Sequence, residues 1–157
     1  MAQPETFTAT VTIDAKGRVV LALPFEPDAR WGAKARHHIT GTVAGRRVRG
    51  SLEQTPAGHV LALGPAWQRD AGLVAGSEVS VTLAPEGPQR DDLAPDVVAA
   101  LAADPVAAAF FDSLATFYRK GYLRWVDATT RRPDVRAARL EEMIALLRAG
   151  RKERPRE

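Results

Sequence analysis

Residues 36–52 read Arg-His-His-Ile-Thr-Gly-Thr-Val-Ala-Gly-Arg-Arg-Val-Arg-Gly-Ser-Leu. Two alternating segments flank the dipeptide Ala44-Gly45, which is typical of a β-hairpin. A two-residue turn there pairs Val43 with Arg46 and puts His37 on the apolar face, whereas Ala-Gly is a weaker turn than Asn-Gly and a longer loop is the alternative. A slip of one residue would mix the two faces. The pairs predicted on the polar face are Thr42–Arg47, Thr40–Arg49, His38–Ser51 and Arg36–Glu53.

The polar face of this hairpin is cationic. Between Arg30 and Gly50 there are six Lys or Arg residues and no Asp or Glu. A guanidinium group presents a fixed fork of donors that suits a carboxylate or a phosphate. We therefore consider this face a candidate ligand-binding surface, and the alternative is a solvated or acid-paired face. Its candidate contacts are Arg36, His38, Arg47 and Arg49.

Other segments of the first half also have strand patterns. Residues 6–13, Thr-Phe-Thr-Ala-Thr-Val-Thr-Ile, alternate without interruption, as expected of a strand that is buried on one side. Further strands are predicted at 18–23, 58–63 and 77–83. Six short strands with regular turn signals indicate a small antiparallel β-barrel over about residues 5–88, or alternatively a sandwich.

The pattern changes to helical after residues 84–94. Helix entries are predicted near Asp96, at Asp104-Pro105 and at Pro133-Asp134. Between 113 and 126, apolar residues recur at steps of three and four, which is typical of a packed helix, at Leu114, Phe117, Tyr118, Gly121, Tyr122 and Trp125. The expected architecture is α+β, with the barrel packed with three or four helices in residues 92–150 and a charged, frayed tail at 151–157.

Lys120 and Arg124 form a second cationic cluster. They lie four residues apart on one helix, where like charges are slightly unfavourable. An ion pair between Arg124 and Asp127 is the simple compensation. Binding of an anionic ligand or of nucleic acid is the alternative, so Lys120 and Arg124 join the candidate ligand contacts.

The sequence lacks the residues that several kinds of catalytic, metal and cofactor site require. The 157-residue chain has no cysteine, so it has no disulfide, thiolate ligand or thiol nucleophile. His37 and His38 are neighbours on a strand and point to opposite faces, so they cannot chelate one metal together. Phosphate-loop, dinucleotide-binding and nucleophile-elbow motifs are missing. We therefore predict no catalytic residue, no metal site and no cofactor.

Bulk composition gives the expected location. The N-terminus is unlike a signal peptide, and no apolar run approaches the roughly 18 residues of a membrane span. The absence of cysteine suits a reducing compartment, so we expect a soluble, cytoplasmic protein. The formal net charge of +3 is too small to indicate nucleic-acid binding by itself.

An ordered set of short motifs gives a family resemblance. The first half carries Phe7-Thr-Ala-Thr, Leu23-Pro24-Phe25, Trp31-Gly32-Ala-Lys34-Ala-Arg36, Gly41-Thr42, Arg49-Gly-Ser51-Leu52, a Gly58…Leu63 strand and Gly72…Gly76…Val79…Val81. Together they resemble a small β-barrel domain of unknown function that often precedes a helical partner.

The helical half carries Leu101…Asp104-Pro105…Ala108…Phe110, Tyr122…Trp125-Val126, Pro133-Asp134…Arg136…Arg139-Leu140 and a closing Gly150-Arg-Lys. These motifs resemble the bacteriocin-protection, YdeI/OmpD-associated family. Family members commonly have Thr before the arginine that matches Arg136, where this chain has Val135. The resemblance implies a bacterial protein linked to bacteriocin tolerance or stress, and it implies no reaction.

Three functional hypotheses follow. The first is a non-enzymatic protein that binds a small anionic or envelope-derived ligand at the seam between its halves. The second is a nucleic-acid-binding protein that uses the cationic hairpin and the basic tail. The third, which has the least support, is an enzyme with His38 as general base, because no partner acid is identifiable.

Overall fold

The computed structural model of the protein describes residues 3–129 and 131–156, and the chain divides into two compact units. Within the described chain, the first unit holds residues 3–33 and 37–86. The second holds residues 34–36 together with those from Gly87 onward. We call the first the β unit and the second the helical unit. The expected α+β class, with strands first and helices afterwards, is confirmed.

The β unit contains two four-stranded antiparallel sheets, with strand orders β1-β8-β4-β5 and β2-β3-β7-β6. The strands are β1 (Glu5–Thr10), β2 (Thr12–Ile13), β3 (Val19–Ala22), β4 (His38–Val43), β5 (Arg46–Ser51), β6 (Glu53–Thr55), β7 (Gly58–Leu63) and β8 (Glu78–Pro85). Two short helices, α1 (Pro27–Trp31) and α2 (Pro65–Ala71), lie in the connections.

Alternation along the strands places one face of each sheet in a common core. The inward-facing residues of both sheets are nearly inaccessible to solvent and form a single hydrophobic cluster, which includes Val19, Leu21, Ile39, Val43, Leu61, Val81 and Leu83. Burial of such side chains contributes roughly 25 cal/mol per Å² of apolar surface. The threonines that alternate with Phe7 and Ala9 on β1 are exposed, as the sequence predicts.

A closed six-stranded barrel is not confirmed. The predicted strand 6–13 is interrupted at Val11, and the second hairpin strand is followed after Leu52 by β6, which was not predicted. At both places the chain passes from one sheet to the other. The Val11 N–H donates to Ser77 O at 2.8 Å, and the Leu52 N–H donates to His37 O at 2.9 Å. These bonds continue the β1–β8 and β4–β5 registers by one residue. The next residues, Thr12 and Glu53, pair with Val20 and Val60 of the second sheet, so the chain passes between two sheets there.

The predicted hairpin is confirmed as β4 and β5. Ala44 and Gly45 both have positive φ, 50° and 78°, as the type I′ two-residue turn requires. The register runs as predicted from Val43–Arg46 to His38–Ser51. It ends there, since β4 begins at His38, and the predicted pairing of Arg36 with Glu53 is wrong.

The helical unit contains four α-helices among its described residues, within the predicted three or four. They are α3 (Pro95–Ala102), α4 (Pro105–Ser113), α5 (Thr116–Asp127) and α6 (Pro133–Arg148). Three of them begin with proline. The first N–H groups of a helix have no acceptor within it, so proline costs no hydrogen bond at this position. The Asp104 side chain caps α4 by accepting a hydrogen bond from Ala107 N at 3.1 Å.

The apolar stripe of α5 differs from the predicted one. The buried residues of this helix are Thr116, Arg119, Tyr122 and Val126. Tyr122 and Val126 belong to the hydrophobic core, against which the partly buried Tyr118 and Trp125 also pack. Phe117 is 72% exposed, so its predicted place in the core is wrong. The stripe at 119, 122 and 126 leaves position 117 on the opposite side of the helix.

Arg119 is 3% exposed, which is unusual for an arginine. Its Nε donates to Leu114 O at 3.1 Å, and its Nη1 donates to Pro88 O at 2.6 Å. These carbonyls belong to the junction between α4 and α5 and to the segment before α3. The guanidinium therefore joins three segments of the helical unit through hydrogen bonds to backbone oxygens.

Membrane insertion by a helix is not supported in the described part of the chain. Each helix there is too short or too polar to cross a bilayer.

Candidate ligand-binding surfaces

The hairpin brings three of the candidate residues together on one face of the first sheet. His38 pairs with Ser51, Thr40 with Arg49 and Thr42 with Arg47. Arg47 and Arg49 are two residues apart on β5, so both project to the same side, and both are exposed. This face is consequently a hydroxyl-rich surface with two guanidinium groups.

Two of these candidate groups already have partners within the β unit. Arg49 forms an ion pair with Glu86, and the arginine side chain remains 69% exposed. The His38 Nδ1 lies 3.0 Å from the Ser51 hydroxyl oxygen, a hydrogen-bonding distance. Arg47 makes no ion pair with any described residue. Because exposed ion pairs contribute little energy, an anionic ligand could displace Glu86 from Arg49 at small cost.

Arg36 lies elsewhere. With Lys34 and Ala35 it belongs to the helical unit. Lys34 is partly buried there, its Nζ donates to Gln89 Oε1 at 2.7 Å, and burial lowers the pKa of its ammonium group. Alternation predicts that Arg36 continues the hairpin strand, whereas the structure places it in the segment that connects α1 with β4.

Arg36 lines an open cavity of about 450 Å³ in the helical unit. The other lining residues are Ala35, Phe110, Ser113, Leu114, Gly150 and Lys152. The lining includes two cations and no carboxylate, beside the apolar side chains of Phe110 and Leu114. We call it the Arg36 cavity. Sequence reasoning missed Lys152 and Phe110, since a tail and a short helix carry no common pattern.

Lys120 and Arg124 are both exposed on α5, as expected for a surface cluster. The predicted pair between Arg124 and Asp127 does not form. Asp127 instead accepts a hydrogen bond from Arg136 Nη1 at 3.1 Å. Neither Lys120 nor Arg124 makes an ion pair within residues 3–129 and 131–156.

The tail is more ordered than predicted. The Tyr122 hydroxyl donates to Arg151 O at 2.7 Å, and the Lys152 ammonium lies 5.1 Å from the centre of the Tyr118 ring. The Trp125 ring has the Arg154 guanidinium 4.3 Å from its centre. Burial raises the pKa of the Tyr122 hydroxyl. Residues 151–156 thus run along α5, while Glu157 lies outside the described residues.

Two buried histidines form a further polar cluster that sequence reasoning did not single out. His37 is 3% exposed, and its Nε2 lies 2.5 Å from Asp28 Oδ1. The His59 Nδ1 lies 3.1 Å from Glu26 Oε1 without forming a hydrogen bond, and the two imidazole rings are 5.6 Å apart. No three such side chains in the described chain form a group that could hold a metal ion. His59 and Leu61 alternate on the buried side of β7, and this alternation in the sequence could have predicted that His59 is buried.

Comparisons with known families agree with the two units. Residues 7–83 match the family model of a domain of unknown function, DUF1905. Residues 92–150 match the model described as Bacteriocin-protection, YdeI or OmpD-Associated. The search of curated proteins gave no match. The expected order of the two families, β domain first, is therefore confirmed.

Proposed function

We propose that this chain, which joins a DUF1905 domain to a YdeI/OmpD-associated domain, is a non-enzymatic binding protein for a small anionic ligand. The observation that carries the proposal is the Arg36 cavity, where Arg36 and Lys152 face no lining carboxylate. We place its role in bacteriocin or stress tolerance, following the name of the matching family. The lack of cysteine favours the cytoplasm as its compartment.

The size and chemistry of the cavity support an amphipathic anion. Its volume of about 450 Å³ falls in the range of roughly 300–1,000 Å³ that is common for small-molecule sites. Phe110 and Leu114 offer apolar contact, and the Arg36 guanidinium can hold a carboxylate or phosphate through two hydrogen bonds. An envelope-derived acid with a short apolar chain has both features.

Octanoate is a suitable probe, since it combines a carboxylate with a short apolar chain. We expect octanoate to raise the melting temperature of the protein. Well above its dissociation constant, the rise should grow with the logarithm of the octanoate concentration. Arg36→Ala should remove this shift and leave the unliganded melting temperature nearly unchanged, because Arg36 is exposed. Arg46→Ala, an exposed arginine in the hairpin, is the matched control. Equal shifts for Arg36→Ala and the control, or no shift at all, would reject the proposal.

Nucleic-acid binding is a second candidate, and the exposed arginines of the hairpin favour it. Arg47 makes no ion pair with described residues and lies beside Arg49 on a face rich in Thr hydroxyls. Together with His38, these two arginines could contact phosphates along one strand of a nucleic acid.

Salt dependence tests this second candidate. The affinity for a random single-stranded oligonucleotide should fall on the order of tenfold or more between about 50 and 200 mM salt, because binding releases counterions. Arg47→Glu should strongly weaken this binding, whereas Arg69→Glu on α2 makes the same charge change elsewhere and should have little effect. The absence of binding at low salt would exclude this function.

A further inference from the structure

The exposed face of α5 combines an aromatic ring with two cations. Phe117, Lys120, Gly121 and Arg124 follow the spacing that brings residues to one side of a helix, and all four are exposed. Phe117 has 72% of its surface in solvent. An exposed phenylalanine beside cations is a feature that the packing of the helical unit does not require.

A cavity of about 220 Å³ opens beside this face. Three aromatic residues and two charged tail residues line it, with one glycine: Phe117, Tyr118, Tyr122, Glu153, Arg154 and Gly121. We call it the α5 cavity. Contacts with α5 hold the tail residues that line this cavity, because the Tyr122 hydroxyl donates to Arg151 O and Arg154 stacks on Trp125. The Glu153 carboxylate makes no ion pair with residues in the described part of the chain.

Gly121 leaves the space on which this cavity depends. A Cβ built at position 121 would meet no atom within 4 Å. Glycine in a helix interior is less favourable than alanine, so local stability does not account for it. A larger side chain at this position would project into the opening between the rings and the tail.

We propose that the α5 cavity binds the base of a guanine mononucleotide, with the phosphate held by Lys120 and Arg124. The cavity is smaller than the roughly 300–1,000 Å³ of a whole-ligand site, so it suits the ring system and leaves the charged group outside. Aromatic residues provide stacking surfaces for a base. The Glu153 carboxylate can accept the two N–H groups on one edge of guanine, and the exposed cations attract the phosphate.

This proposal does not depend on the Arg36 cavity. The residues that contact the base and the phosphate differ from Arg36, and variants of each set distinguish the two. Loss of octanoate binding in Arg36→Ala leaves the nucleotide prediction standing, and the reverse also holds. The nucleic-acid hypothesis is separated by the ligand that each predicts, since a mononucleotide is sufficient for the α5 cavity and its neighbouring cations.

Isothermal titration with GMP, guanosine and inorganic phosphate is the test. We expect GMP to bind at least about tenfold more tightly than either part alone. Lys120→Ala and Arg124→Ala should weaken GMP binding and leave guanosine binding nearly unchanged. Phe117→Ala should weaken both by about tenfold through the loss of stacking. Glu153→Gln should reduce the preference for GMP over AMP.

Position 121 provides the matched pair. Gly121→Leu fills the opening and should abolish GMP binding, whereas circular dichroism and thermal melting should report a folded protein. Gly121→Ala checks that helix propensity is not responsible, since it should melt at the same or a higher temperature. GMP binding that is no tighter than phosphate binding, or that survives Gly121→Leu, would overturn the proposal. So would binding of single-stranded oligonucleotides without binding of GMP.

Discussion

Arg136 binds both carboxylate oxygens of Asp96, with Nε 2.5 Å from Oδ2 and Nη2 3.0 Å from Oδ1. Its Nη1 also donates to Asp127 Oδ1 at 3.1 Å. The arginine side chain is 14% exposed. One guanidinium on α6 thus connects α3 with the end of α5, which makes Arg136 an organising residue of the helical unit.

This contact should make the helical unit sensitive to acid. Hydrogen bonding from Arg136 holds the pKa of the Asp96 carboxyl below its ordinary value of 3.8. The bonded carboxylate therefore stabilises the fold at pH values above about 3.8, and this contribution is lost as the pH falls below that value. Asp96→Asn should reduce the free energy of unfolding at pH 7 by about 1 kcal/mol or less, because Asp96 is half exposed.

The measurement is urea unfolding of both proteins between pH 7 and pH 2.5. The difference in stability between the natural chain and Asp96→Asn should shrink as the pH falls through the lower part of this range. Glu141→Gln, an exposed position on α6, is the control for removing an acid. A difference that stays constant down to pH 2.5 would show that the ion pair contributes nothing to the acid response.

Substitution by alanine should have opposite effects on the stability of the β unit at Gly41 and at Gly50. A Cβ on Gly41 would overlap the backbone carbonyl of Thr82 on β8, whereas a Cβ on Gly50 would meet no atom within 4 Å. Gly41→Ala should destabilise the β unit by about 3 kcal/mol, since the strands must separate. Gly50→Ala should be neutral or stabilise it by about 0.5–1 kcal/mol. Denaturant unfolding checks both, and similar effects of the two variants would contradict the close approach of β4 and β8.

The hairpin turn can be improved. Ala44 has φ 50°, in the left-handed region where a side chain is disfavoured by roughly 1–2 kcal/mol. Asparagine tolerates this conformation and is preferred in type I′ turns. Ala44→Asn should therefore stabilise the β unit by about 0.5–1 kcal/mol in thermal unfolding. Gly45→Ala, at φ 78°, should destabilise it by about 1 kcal/mol, and a stability gain there would mean that the turn has another geometry in solution.

The tail contact predicts the rate of proteolysis. Arg151 and Lys152 are trypsin sites, and the Tyr122 hydroxyl bonds to the backbone at Arg151. Tyr122→Phe removes this bond, worth about 1 kcal/mol, and should speed cleavage at these sites about fivefold when opening limits the reaction.

Tyr118→Phe is the control, since it keeps the ring that contacts Lys152, and its hydroxyl has no hydrogen bond to any residue that the structure describes. Equal cleavage rates in the two variants would mean that the Tyr122 bond does not hold the tail.

The hairpin was predictable because its information is local. Strict alternation from His38 to Ser51 admits one register that separates apolar from polar side chains, and the observed pairs match it. The interruptions at Val11 and Leu52 were not predictable. There the next residues, Thr12 and Glu53, leave the first sheet and pair with Val20 and Val60, and alternation within one segment does not indicate a change of partner strand.

The candidate sites were predictable only in part. Exposure of Lys120 and Arg124 followed from their charge, and the hairpin register placed Arg47 beside Arg49. Steps of three and four along α5 fit two neighbouring faces of the helix, so Phe117 was assigned to the buried one. The burial of Arg119 reversed the usual preference of charged residues, because backbone carbonyls from two other segments meet its guanidinium.

The location of Arg119 has a consequence for the state of the protein in strong acid. The oxygens of Pro88 and Leu114 carry no proton that could titrate, and a guanidinium stays charged at every accessible pH. Acidification therefore weakens the Asp96–Arg136 ion pair and leaves the hydrogen bonds of Arg119 in place. At low pH the contact of α3 with α6 should loosen, whereas the link from Arg119 to Leu114 and Pro88 should persist.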